Sequence, residues 1–227
     1  MPDLLPLVIF LVSLFFFVGG YYFSAVFYYK KHSVKYSIKN MFPYEFNYPS
    51  AFKNNVYGNI AFIIALCSAM AFYIYNLMNS GAINVTNVVL LVFAISLAGL
   101  IACLLFMPLR YLRTHMIIST LAMVLAMGMP ALGSFIAIER LRLVTDGVNK
   151  ALCIIALVVG VVLATTMLIF VFNPKATYKI YLEKATDEKG NEVTVRPKSI
   201  PMAFNEWWSI ITYLLSPLAL VIISFIK

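Results

Sequence analysis

The chain has 227 residues, 63% of them hydrophobic and 11% charged, with a formal net charge of +8. Soluble domains run at about 45–50% apolar and about 25% charged, so an ordinary water-soluble globule is excluded. The positive residues sit in the connections between apolar runs, as membrane topology requires, and no nucleic-acid partner is expected.

Six runs are long enough to cross a hydrocarbon core about 30 Å thick as helices. They are residues 4–29, 56–78, 88–109, 115–138, 150–173 and 207–226. A helix satisfies its own backbone hydrogen bonds where no water can. The fold class is therefore all-α, a single polytopic domain (residues 1–227) forming a six-helix membrane bundle. The first run lacks a basic n-region and a small-residue cleavage site, so it reads as a retained helix and not a signal peptide. Within it Gly19, Gly20 and Ser24 mark a helix contact, with Gly20 and Ser24 at small-xxx-small spacing.

The connection after the first run, "KKHSVKYSIKNMFPYEFNYP", holds Lys30, Lys31, Lys35 and Lys39. Val34, Ile38, Met41 and Phe42 share one helical face, with three of those lysines on its shoulder. Two readings stand side by side. One is a short helix lying in the interface with its ammonium groups on anionic headgroups. The other is a solvated basic loop serving topology alone. Pro43 would end such a helix.

The second and third runs carry Cys67 and Cys103, the fifth Cys153. An odd number of scattered cysteines gives neither a disulfide framework nor a zinc signature, and each reads as a small hydrophobe. Asn84-Val85-Thr86 is a glycosylation sequon, placed so close to the third run that a chance match is the better reading.

In the fourth run, "MVLAMGMP" sets Met123 and Met127 on one face, with Met129 following. Thioethers suit Cu(I), but methionine is also a common gap filler in apolar packing, and no Cys or His reinforces a metal site there. Gly128, Pro130 and Gly133 point to a kink or a close helix contact. Beyond it, "ERLRLVTD" supplies the only candidate acid–base pair, Glu139 and Asp146. Ordinary loop charge is the competing explanation, with Asp146 or Thr145 as the cap of the next helix.

After the fifth run, residues 174–206 form the one sizeable polar segment. "YKIYLEK" and "EVTVRP" alternate around "ATDEKGN", which reads as a cytoplasmic β-hairpin turning at Gly190-Asn191. Trp207 and Trp208 are then placed in an aromatic belt at the mouth of the last span.

Lys and Arg number five, two and six in the connections after spans one, three and five, and none and two or three after spans two and four. Basic loops face the cytoplasm. Loops one, three and five therefore face it, and both termini lie on the non-cytoplasmic side, in a membrane expected to be the cytoplasmic (inner) membrane of a bacterium. Apart from residues at span ends, the spans read as free of ionisable groups, which argues against proton-coupled chemistry. Two histidines, His32 and His115, are too few for a bis-His haem or a histidine-rich di-iron site, and no cofactor is expected.

Three functions follow. The first is a non-enzymatic subunit that packs with other membrane proteins and docks through residues 30–55 and 174–206. The second is a small-solute transporter or substrate-binding component with a cavity lined by Asn59, Ser68, Asn76, Ser119, Thr165 and Thr166. The third is an enzyme acting on lipids or envelope precursors through Glu139 or Asp146. Membrane lipids, anionic headgroups included, are expected partners under all three. A cavity above about 300 Å³ separates the second from a closed bundle.

Overall fold

The structure is a computed structural model, described here over residues 4–47, 55–79, 85–106, 112–174, 183–186 and 191–226. The helices are α1 (Leu5–His32), α2 (Val56–Asn79), α3 (Val85–Phe106), α4 (Leu112–Leu143), α5 (Gly147–Val171), α6 (Pro201–Leu215) and α7 (Pro217–Ser224). Counting α6 and α7 as one crossing, six are long and apolar enough to span a bilayer. This is a multi-pass membrane protein.

Burial orders the helices as a membrane demands. In the most apolar stretch of α1 and of α5 only 22% of residues are buried, against 61% for α6–α7. The first two turn their side chains to lipid, while α6–α7, the least apolar of the six, runs through the centre. A central position is where polar side chains find protein partners instead of hydrocarbon.

Close crossings use small residues. Where α1 meets α2, a Cβ on Gly20 would sit 3.0 Å from the Phe62 ring and 3.1 Å from the Gly58 carbonyl oxygen, and one on Gly58 would strike Ser24 and Asn55. Asn55 Nδ2 donates to Ser24 Oγ at 2.7 Å across the same contact. Gly19, one residue from Gly20, has no neighbour within 4 Å and takes no part. Gly128 packs on Phe93, Gly133 lies 3.7 Å from Ala219, and Gly160 admits the Pro130 carbonyl and Ser134 of α4. Pro130 stays inside α4. Ser134 Oγ donates to the Pro130 carbonyl at 2.9 Å.

The interfacial helix envisaged after α1 does not form. Helix α1 runs on to His32, and Ser33, at φ 55°, ends it in the left-handed region. The segment then folds inward to a short 3-10 turn, Pro43–Phe46. Its apolar side chains pack on this chain's own core: Tyr36, Met41, Phe42, Tyr44 and Phe46 are all buried, while Lys30, Lys31, Lys35 and Lys39 stay exposed.

Residues 196–200 lie on this turn. Arg196 reaches Glu45 with two hydrogen bonds of 2.8 and 2.6 Å. The Ile200 amide donates to the Lys39 carbonyl at 2.7 Å, and Asn40 Nδ2 to the Pro197 carbonyl at 3.2 Å. Loops one and five therefore meet at one end of the bundle, as the four crossings between them require. In the polar segment, strands β1 (Glu183–Thr186) and β2 (Glu192–Val195) pair antiparallel, with Glu183 opposite Val195 and Thr186 opposite Glu192. The Gly190 turn position and the Asn84 sequon residue lie outside the described residues.

Trp207 is not in an aromatic belt. It is 1% exposed, donating through Nε1 to Tyr36 Oη at 3.1 Å and to the Met41 carbonyl at 3.0 Å. Tyr36 in turn stacks on Phe46 with centroids 3.9 Å apart. Trp208 stacks on Phe204 and meets Phe170 edge-on.

Candidate functional site

Two polar sites stand out among the described residues, one at each end of the bundle. The first was invisible to a span boundary drawn at Trp207. Pro201 opens α6 at N1, where its fixed φ suits a helix start and its missing N–H is not needed. That extra length carries Glu206 into the bundle, where it is 0% exposed. His115, 2% exposed, sits in the first turn of α4 with Ser119 one turn on, so both point the same way. His115 Nε2 lies 2.9 Å from Glu206 Oε1, and Ser119 Oγ donates to the same oxygen at 2.6 Å. The edges of Phe42 and Tyr44 close over the imidazole, with centroids 6.2 and 5.3 Å away. Glu206 Oε2 and His115 Nδ1 have no hydrogen-bond partner among the described residues. A buried acid and a buried imidazole thus join α4 to α6 beneath the basic loops, at the span ends that the sequence expectation set aside.

Beside this cluster, burial is the main influence raising the Tyr36 hydroxyl well above the ordinary tyrosine value, with Glu45 adding to it. For Arg196, burial pulls the guanidinium down, but hydrogen bonding and charge attraction from Glu45 outweigh it, and the net direction is upward.

The second site is a cavity of about 480 Å³ at the opposite end. It lies where α2 and α4 end, α3 begins and α7 closes the bundle. Arg140 enters it from the last turn of α4 together with Ile136, one turn earlier on the same face. Asn76 and Asn79 come from α2, Asn87 from α3. Asn76 Nδ2 donates to Asn87 Oδ1 at 3.4 Å, and Asn79 Nδ2 to the Tyr75 carbonyl at 2.9 Å. Phe72, Leu220 and Ile223 supply apolar wall. Arg140 makes no ion pair among the described residues, and no acidic residue lines the cavity there.

Of the six residues expected to line a binding cavity, only Asn76 does. Asn59 Nδ2 donates to Asn47 Oδ1 at 2.8 Å, joining the base of α2 to the end of the 3-10 turn in loop one. Ser119 serves Glu206. Thr166 Oγ1 donates to the Val162 carbonyl of its own helix at 2.7 Å, and Thr165 is exposed on the lipid-facing helix α5. Ser68 is half-buried on α2 and does not reach the cavity. Met123, Met127 and Met129 pack in or against the apolar core. Asp146 caps α5, its Oδ2 accepting from the Asn149 amide at 2.9 Å. Glu139 is half-buried near the end of α4, outside the cavity lining.

The chain matches no known protein family, no curated protein and no solved structure.

Proposed function

We propose that the chain is a non-enzymatic membrane component that binds a small molecule in the cavity framed by Arg140 and the asparagines of α2 and α3. The observation that carries this reading is the cavity: about 480 Å³, inside the range of about 300–1,000 Å³ typical of ligand sites, with one charged group and several amides converging above an apolar wall. The charge asymmetry of the loops puts Arg196 and the exposed lysines in the cytoplasm. The cavity then faces the non-cytoplasmic side, where a binding component would meet its solute. We place the protein in a bacterial cytoplasmic membrane on the same grounds of composition and loop charge.

The docking-subunit reading is weaker on this geometry. Tyr36, Met41, Phe42, Tyr44 and Phe46 of loop one, which would have given a partner its contact area, are already buried in this chain's own core. Native mass spectrometry on the full chain in mild detergent tests the choice. A small molecule retained at one per chain, and lost when Leu220→Trp fills the cavity, supports binding. Retention that is indifferent to Leu220→Trp, or stoichiometric partner chains with no small molecule, sinks it.

A further inference from the structure

We infer that the cavity takes an anionic amphiphile: a carboxylate or phosphate head held by Arg140, with its hydrocarbon chain against Phe72, Ile136 and Leu220. The inference rests on the cavity being a binding site and adds the chemical class of what it binds. Three features of the lining lead there.

The first is charge of one sign only. Arg140 is the single charged residue in the described lining, and no described carboxylate pairs with it. A guanidinium presents five donors in a planar fork that matches a carboxylate or phosphate, and it is never deprotonated in proteins. Arg140 is exposed, so an anionic head can reach it from the surface, while a cationic one would be repelled by it.

The second is the ordering of polarity along the helices. Arg140 stands one turn nearer the end of α4 than Ile136, and Asn76 and Asn79 stand beyond Phe72 on α2. Phe72, Ile136 and Leu220 of the apolar wall are buried, while Arg140 and Asn79 are exposed, with Leu143 and Val144 following Arg140 in the lining. A head-and-tail molecule has the same gradient, whereas a uniformly polar solute would leave the apolar wall wetted.

The third is the hydrogen-bonding capacity left over. The amide nitrogens of Asn76 and Asn79 each spend one N–H, on Asn87 Oδ1 and the Tyr75 carbonyl, and keep a second. Those second N–H groups and the Asn87 amide line the same cavity as Arg140, which suits an acceptor-rich head.

The test uses the full chain in phosphatidylcholine nanodiscs, with radiolabelled oleate, oleoyl-lysophosphatidate, oleyl alcohol and lysophosphatidylcholine as probes. Oleate and lysophosphatidate should bind saturably at one per chain, with the neutral and zwitterionic probes at least about tenfold weaker, as expected for loss of one charge-assisted contact. Arg140→Gln should erase that preference by weakening oleate and lysophosphatidate but not the other two probes, Arg140→Lys should keep part of it, and Arg142→Gln, outside the lining, should change nothing. The lysine variant also guards against a glutamine variant that folds poorly. Competition by phosphatidylglycerol would identify a membrane lipid as the source of the head, and its failure to compete would identify a free amphiphile. Equal binding of oleate and oleyl alcohol, with Arg140→Gln indifferent, overturns the charge inference while leaving the cavity as a site. Absence of binding by all four probes overturns both this inference and the reading it rests on.

Discussion

Replacing His115 by Leu should be among the most damaging single changes available in this protein. It leaves the Glu206 carboxylate, 0% exposed, with Ser119 as its only donor. Removing one partner of a buried pair costs about 3–5 kcal/mol, because the remaining charge has neither water nor counter-charge. Glu206→Leu strands the imidazole in the same way, with its Nε2 joining an already unpartnered Nδ1. The double variant removes both desolvated groups. Ser119 Oγ can then turn to the carbonyl one turn back in its own helix, so the double change should cost no more than either single one, a coupling of about 3 kcal/mol at the upper end of contacting pairs. Equilibrium unfolding in mixed dodecyl maltoside and SDS micelles, followed by far-ultraviolet circular dichroism, reads all four proteins. Two single losses that simply add in the double variant, or that each fall under about 1 kcal/mol, would refute the argument that this contact is a desolvated, mutually dependent pair.

Gly58→Ala should destabilise by about 1–3 kcal/mol, because the added methyl meets Ser24 and Asn55 where α1 crosses α2, whereas Gly19→Ala, with open space around it, should stay within about 0.5 kcal/mol; the same micelle unfolding measures both. Alkaline titration of stability should expose Tyr36. Its hydroxyl is raised in the folded state by burial, so its contribution is complete below the ordinary tyrosine value near 10 and is lost as pH rises from there through the folded value. Tyr36→Phe should be less stable at neutral pH, having lost the 2.7 Å bond to the Phe42 carbonyl, yet show a shallower decline above about pH 10, measured by thermal unfolding across the pH series.

How much of this was legible beforehand divides along physical lines. Lipid sets the length and apolarity of any crossing helix, so the existence of six spans could be read from runs of Leu, Val, Ile and Phe. Their ends could not, because helices leave the hydrocarbon before they stop. Helix α4 runs through Arg140 to Leu143, residues that read as loop, and α6 starts at Pro201, six residues before the apolar run seemed to begin. The charged member of each polar site, Glu206 and Arg140, sits in one of those overhangs. The proline at 201 was the available signal for Glu206, since proline favours the first turn of a helix. The pairing of Glu206 with His115 spans 91 residues, and no local pattern encodes it. Loop one shows the reverse error: Val34, Ile38, Met41 and Phe42 have helical spacing, yet the segment is extended and turned, because aromatic burial against Trp207 and Tyr21 outweighs the periodicity. Gly20 and Ser24 were visible as small residues on one face, while the complementary Gly58 and Gly160 became meaningful only once their partners were known.

The binding account depends on the cavity and the basic loops lying on opposite sides of the membrane. In a variant with its three cysteines replaced by alanine, single cysteines at Lys35, Lys198 and Asn79 can be probed with a membrane-impermeant maleimide. The account predicts that Asn79→Cys labels in intact cells, while Lys35→Cys and Lys198→Cys label only after permeabilisation. Labelling of the two lysine positions from opposite sides, or of Asn79→Cys from the same side as both, would contradict it.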